Sequence, residues 1–168
     1  SRATQVCEKI IGRCADGIEQ VSELLTLARV QDADPQKRPA EVADVVRVVE
    51  QQCEQHADLA AAKGIEVVRQ ITPGQVFRAR IAQGDLAECL ANLIGNAIKY
   101  TEGPGRVTVS VGTVVDGSSN GSPAITISVA DTGMGVDPGL LDPAADGSIF
   151  EPFRRGDNAL AAGIPGTG

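Results

Sequence analysis

The sequence is poor in aromatic side chains. Tryptophan is absent, and Tyr100, Phe77, Phe150 and Phe153 make up an aromatic content of 2%. A protein that grips single-stranded nucleic acid by stacking its bases needs more rings than this. Cations are also in the minority. Fifteen Lys and Arg against 22 Asp and Glu give a formal net charge of −7, the wrong sign for a chain whose main task is to hold nucleic-acid phosphates. A small anionic ligand is not excluded, because a few backbone N–H groups and one Lys can hold it. A single His, His56, removes most His-based metal and triad chemistry. The four cysteines, Cys7, Cys14, Cys53 and Cys89, contain no Cys-x-x-Cys pair. A disulfide scaffold and a zinc site are therefore poor readings, and reduced thiols in a cytoplasmic protein are expected. No apolar run approaches the ~18 residues a membrane span needs, and the start does not read as a signal peptide. The expectations are no nucleic-acid partner and no membrane contact by this segment. What remains is a hydrophobic content of 42% in 168 residues, enough for one globular domain and an appendage.

Along the chain, Cys7, Ile11, Cys14, Ile18, Val21, Leu25 and Ala28 alternate in spacings of four and three. That is a heptad seam on a long helix, and a lone helix cannot bury it. It must pack on another helix, in this chain or in a second copy, and a second copy is the expected partner. Residues 31–39, with Pro35 and Pro39, read as a linker. The spacing of Val42, Val45, Val46, Val49, Cys53, Ala57 and Ala60 predicts a helix over 40–62, ended by Gly64 at the C′ position. Two short strands, 65–71 and 76–81, flank a Thr72-Pro73-Gly74 turn. A helix follows over 85–101. Alternating Val107, Val109, Val111 and then Ile125, Ile127, Val129 predict strands over 106–115 and 124–129, joined by a hairpin loop at 116–122. The order implies an α+β fold, a two-layer sandwich of one mixed β-sheet covered on one face by helices and preceded by a coiled-coil-like helix.

Two segments carry candidate chemistry. At about 100° per residue, Leu86, Leu90, Leu93, Ile94, Ala97 and Ile98 share one arc of the helix 85–101. Glu88, Asn92, Asn96 and Lys99 share the opposite arc, with Tyr100 at its edge. This arc is either a solvated face or a ligand face. Asn disfavours helix interiors, and amides, an ammonium and an aromatic edge would suit a cation, phosphates and a nucleoside. The second segment is Val129-Ala130-Asp131-Thr132-Gly133-Met134-Gly135, where alternate glycines after a strand let backbone approach a ligand. Asp131 there reads equally as a turn former. Further on lie Phe150-Glu151-Pro152-Phe153-Arg154-Arg155 and the glycine run 163–168. That run can offer N–H groups to phosphate, but it lacks the GK[ST] and following helix of a P-loop.

Taken in order, these segments resemble the ATP-binding domain of a sensor histidine kinase, within the gyrase/heat-shock/histidine-kinase/mismatch-repair ATP-binding superfamily. Residues 92–101 (NLIGNAIKYT) resemble the N-box. Residues 131–135 (DTGMG) resemble the first glycine box, 149–153 (IFEPF) the F-box, and 166–168 (GTG) the start of the second glycine box. The match covers about 36–168. The resemblance implies that Asn96 ligates Mg²⁺, that Asn92 lies beside the phosphates of ATP and Lys99 contacts them, and that Tyr100 flanks the nucleoside. It implies that Asp131 accepts from the adenine amino group, with Gly133 and Gly135 allowing close approach. Phe150 and Phe153 would anchor an ATP lid over about 137–166, Arg155 would stand near the γ-phosphate, and Gly166, Thr167 and Gly168 would meet the phosphates. Residues 1–34 are similar to the second helix of the family's dimerisation and phosphoacceptor hairpin, and 35–168 to a catalytic domain shortened at its C-terminus.

In the superfamily's ATPases the residue four before the Mg²⁺ Asn is a Glu that activates water. Here it is Asn92, and an amide takes no proton from water at neutral pH. This favours phosphoryl transfer to a protein nucleophile. The resemblance implies a homodimer through the N-terminal helix and a response-regulator receiver domain as partners. His56 lacks the acidic and Pro neighbours of a phosphoacceptor and reads as an ordinary helix-face residue, so the acceptor is expected outside this sequence. The alternatives are a superfamily ATPase, a protein serine kinase, or a degenerate nucleotide-binding or dimerisation module.

Overall fold

The computed structural model describes Val6, residues 41–115, residues 123–136 and residues 138–141. The heptad segment apart from Val6, the linker 31–39 and the loop 116–122 lie outside the described residues, as do the F-box and the glycine run at 163–168. Residues 41–135 belong to one compact unit; Val136 and a short 3₁₀ turn, Pro138–Leu140, belong to another.

In chain order the first unit holds β1 (Ala43–Asp44), α1 (Val45–Gln55), α2 (Ala57–Ala62), β2 (Ile65–Gln70), β3 (Arg78–Ala79), α3 (Gln83–Tyr100), β4 (Gly105–Val115) and β5 (Pro123–Asp131). β2 pairs in parallel with β4, Ile65 opposite Gly105, and β4 pairs antiparallel with β5, Val107 opposite Asp131. A second, two-stranded ladder joins β1 to β3. The mixed sheet with helices is the α+β class read from the sequence.

The core has a simple origin. On α3, Leu86, Leu90, Ile94, Ala97 and Ile98 recur every three or four residues and are all buried. They meet Val107, Val109 and Val111, the inward alternation of β4, and Val45, Val48, Val49 and Cys53 of α1 in one cluster. Burial pushes the Cys53 thiol up from its ordinary value, Arg69 opposing and Glu50 adding to the shift. Cys53 is therefore a protonated core residue and not a nucleophile. Across the parallel ladder Glu66 and Arg106, register partners, form an exposed ion pair at 2.9 Å, worth little in stability.

Three expectations are corrected in detail. The single helix over 40–62 is a two-residue strand and two helices. Asp44 is extended and caps α1 by accepting from the Arg47 N–H, which lets Ala43 pair with Ala79 instead of coiling. At His56 the chain turns (φ −96°, ψ −2°), and His56 Nδ1 lies 2.8 Å from the Gln52 carbonyl. His56 is thus spent on a helix junction. Val42 and Ala57, read as apolar-face residues, are exposed. The strands 65–71 and 76–81 do not pair with each other. The second shrinks to Arg78–Ala79 and joins β1, while the Thr72–Gln75 turn closes as expected through Gln75 N–H to Thr72 O. Gly64 does end α2 with a positive φ of 69°.

Thr101, just past α3, is 1% exposed, and its hydroxyl oxygen has no hydrogen-bond partner among the described residues. Replacing a buried unpaired hydroxyl by a methyl of the same shape removes a desolvation cost. Thr101→Val is therefore expected to stabilise the domain by about 1 kcal/mol. A denaturant melt checks this, and a lower midpoint would show that the hydroxyl has a partner.

Candidate functional site

The apolar arc of α3 faces the core, so its polar arc must face out. Glu88, Asn92 and Asn96 are exposed, while Lys99 and Tyr100 are half-buried at the last turn. The Lys99 ammonium stands 5.9 Å from the centre of the Tyr100 ring. Leu93, expected in the core, is 46% exposed. It sits at the border of the apolar arc, three residues before Asn96 and seven before Tyr100, so it flanks the polar face. Cys89, at i−4 from Leu93, is exposed on the same side.

The second half of the site arrives on β5. Antiparallel register carries Asp131 opposite Val107, next to the start of β4. There the chain turns. Asp131 Oδ1 accepts the Gly133 N–H at 2.8 Å, an Asx turn. Thr132 locks to Arg106 twice, by N–H to O at 3.1 Å and by Oγ1 accepting the Arg106 N–H at 3.0 Å. Met134 N–H then donates to the Tyr100 carbonyl at 3.2 Å. Gly135 follows in the left-handed region, φ 69°. The glycine loop is thus bound onto the end of the helix that carries Asn96 and Lys99.

Gly133 makes that docking possible. A Cβ on it would overlap the Tyr100 carbonyl oxygen and stand 2.8 Å from Asp131 Oδ1. The residue read as giving way to a ligand gives way first to the helix. Gly133→Ala is expected to destabilise the domain by about 1–3 kcal/mol, the usual cost of overpacking, and to separate the two halves of the site. Thermal melting with and without nucleotide checks both effects; an unchanged melt would mean the loop moves aside freely.

Of the residues named from the sequence, the structure brings together Asn92, Asn96, Lys99 and Tyr100 on α3, and Asp131, Gly133 and Gly135 on the docked loop. Phe150, Phe153, Arg155, Gly166, Thr167 and Gly168 lie outside the described residues. The sequence reading missed Thr132, whose hydroxyl fastens the loop. It also missed Lys63, whose ammonium donates to the Ile98 and Lys99 carbonyls at 2.9 and 3.2 Å. Neither contact leaves a local pattern, since their partners lie 26 to 36 residues away.

The carboxamide face of α3 and the Asp131–Gly133 turn are thus joined at the edge of the mixed sheet. A family model described as "Histidine kinase-, DNA gyrase B-, and HSP90-like ATPase" matches residues 82–168. The chain belongs to this family, and its relatives place it with the ATP-binding catalytic domains of sensor histidine kinases. The sensor-like histidine kinase SenX3 of Mycobacterium tuberculosis is 33% identical over 150 residues, 89% of this chain and 33% of that protein. The virulence sensor protein BvgS of Bordetella pertussis is 31% identical over 153 residues, 90% of this chain and 12% of that protein. The chain thus spans a third or less of the length of these relatives. The crystal structure of full-length ShkA in complex with AMPPNP superposes with a TM-score of 0.62 at 30% identity, covering 85% of this chain and 28% of that one. The catalytic domain of histidine kinase ThkA shares the fold at 17% identity, with a TM-score of 0.55 over 76% of this chain and 73% of that one. No helix among the described residues is long and apolar enough to cross a membrane.

The donor set suits a metal carried in with a nucleotide. Among the described residues no group of three or more His, Cys, Asp or Glu could hold a metal ion. Asn96 offers one exposed hard oxygen. Mg²⁺ keeps most of its octahedral shell for water and phosphate oxygens and takes one or two protein ligands, so a single carboxamide fits it.

Proposed function

We propose that this chain is the Mg-ATP-binding catalytic core of a two-component sensor histidine kinase. It would pass the γ-phosphoryl group of ATP to a His on a dimerisation helix outside this sequence, for onward transfer to an Asp of a response-regulator receiver domain. Asn96 would hold the metal and Asn92 would lie beside the phosphates. Lys99 would offset their charge, Tyr100 would flank the nucleoside, and Asp131 would accept from the adenine amino group. Phe150 and Phe153 would anchor a lid, and Arg155, Gly166, Thr167 and Gly168 would complete the phosphate contacts. Mg²⁺, held by Asn96, would supply charge neutralisation for the phosphoryl group; the chain's own residues would position ATP. Dimerisation through the N-terminal helix and a cytoplasmic setting belong to the same reading.

The observation that supports the proposal is the docking of the Asp131 loop on the Tyr100 carbonyl, at the end of the helix that carries Asn92, Asn96 and Lys99. Asn92 supports transfer to protein over hydrolysis, because an amide stands at the position where the superfamily's ATPases carry the Glu that activates water. The test supplies radiolabelled ATP, Mg²⁺ and a dimerisation hairpin bearing the acceptor His. Acid-labile, alkali-stable phosphate on the hairpin is expected. Acid-stable phosphate on Ser, or rapid release of free phosphate, would instead point to a serine kinase or an ATPase, and absence of any nucleotide binding to a scaffold.

A further inference from the structure

We infer that Lys63 is a positioning residue for the phosphate end of this site, and that its charge shields the bound triphosphate from the negative end of α3. This rests on the nucleotide reading above. The last four carbonyls of a helix have no partner within it, and they concentrate a partial negative charge of roughly half an electron. Of the candidate phosphate contacts, Asn92 lies in mid-helix, and Asn96 and Lys99 lie in the last two turns of α3. A polyanion there sits near the unfavourable end of the dipole, opposite to the helix N-terminus that usually receives phosphate. The structure answers this from two sides. Met134 N–H occupies the Tyr100 carbonyl. The Lys63 ammonium occupies the Ile98 and Lys99 carbonyls at 2.9 and 3.2 Å.

Lys63 is itself held in place. It caps α2, its N–H donating to Ala60 O. Its carbonyl packs directly against Gly103, where a Cβ would overlap it. Gly105 N–H reaches the Gly64 carbonyl at 3.4 Å. The α2–β2 connection and the α3–β4 connection thus meet through backbone, and the Lys63 ammonium ties the same corner to the last turn of α3. An Arg can reach the same carbonyls with its charge intact. Met keeps the aliphatic stem and loses both the bonds and the charge.

The test measures affinity of the purified chain for AMPPNP with Mg²⁺, for ADP and for adenosine, in the wild type and in Lys63→Met and Lys63→Arg. Lys63→Met is expected to weaken AMPPNP by about 3–10-fold, ADP by less, and adenosine least. Lys63→Arg is expected to stay within about twofold of wild type. Raised salt should narrow the AMPPNP gap, because exposed charges are screened. Equal loss for all three ligands would show a merely structural cap and overturn the inference, as would an unchanged Lys63→Met. If Lys63→Met melts below the assay temperature, Lys63→Gln, which keeps a donor without the charge, gives the same comparison. Should both unfold, Lys63 is structural and the inference fails. A wild type that binds none of the three ligands overturns the nucleotide reading itself, which separates that failure from this one.

Discussion

Asn96→Ala is expected to lower phosphotransfer by on the order of 10²-fold or more, the scale on which a single preorganised polar group at a reacting centre acts. The same variant should melt no lower than the wild type. Asn96 is exposed on α3, where Ala is the better helix former by several tenths of a kcal/mol. Activity measured across a Mg²⁺ titration, beside a thermal melt, separates the two effects. Equal activity would remove Asn96 from the metal, and a large drop in melting temperature would show a structural amide.

The second large effect is at Asp131, and the geometry dictates which variant to use. Asp131→Ala would delete the carboxylate and also the acceptor that closes the Asx turn on Gly133 at 2.8 Å. Asp131→Asn keeps an oxygen for that turn and replaces the other by an NH₂ donor. Facing the adenine amino group, a donor meets a donor. Loss of a hydrogen bond to a charged group is worth about 1.5–3 kcal/mol, so ATP should bind roughly 10–100-fold more weakly. Guanine presents a carbonyl oxygen at the same place, so discrimination against GTP should shrink. Calorimetric titration of both nucleotides checks this. An unchanged dissociation constant for ATP would take Asp131 out of the purine pocket.

Much of this site was legible before the fold was known, for a physical reason. The buried set Leu86, Leu90, Ile94, Ala97 and Ile98 follows from helical periodicity alone, and fixing the core arc fixes the opposite arc that holds Asn92, Asn96 and Lys99. Leu93 escaped because a residue at the edge of an arc is decided by what packs over it, not by its angle. Strand alternation gave β4 and β5 to within two residues at either end. Pairing was not legible for the shorter strands. The Thr72–Gln75 turn is a strong local signal for a reversal, yet β3 joins β1 and β2 joins β4, because burial of Ile65, Val67 and Ala79 in or against the shared core outweighs proximity in sequence. The way the two motifs meet was also hidden. Asp131 and Gly133 stand out as a loop motif, but only the structure shows that the loop is stitched to Tyr100 and Arg106 by backbone groups every residue possesses.

The parallel pairing of β2 with β4 has a kinetic consequence. Glu66 and Arg106, matched across that ladder, are separated by 40 positions in the chain, and α3 is the excursion between them. Closing such an excursion loses chain entropy before any strand contact repays it. Arg106, a member of that ladder, also holds Thr132 of the Asp131 turn, so the ladder and the turn share one residue. A nascent polypeptide ending short of Gly105 holds the Asn-bearing helix but neither β4 nor the Asp131 turn. Any molecule that recognises both elements together selects the completed fold, and at concentrations above its dissociation constant it holds that fold closed.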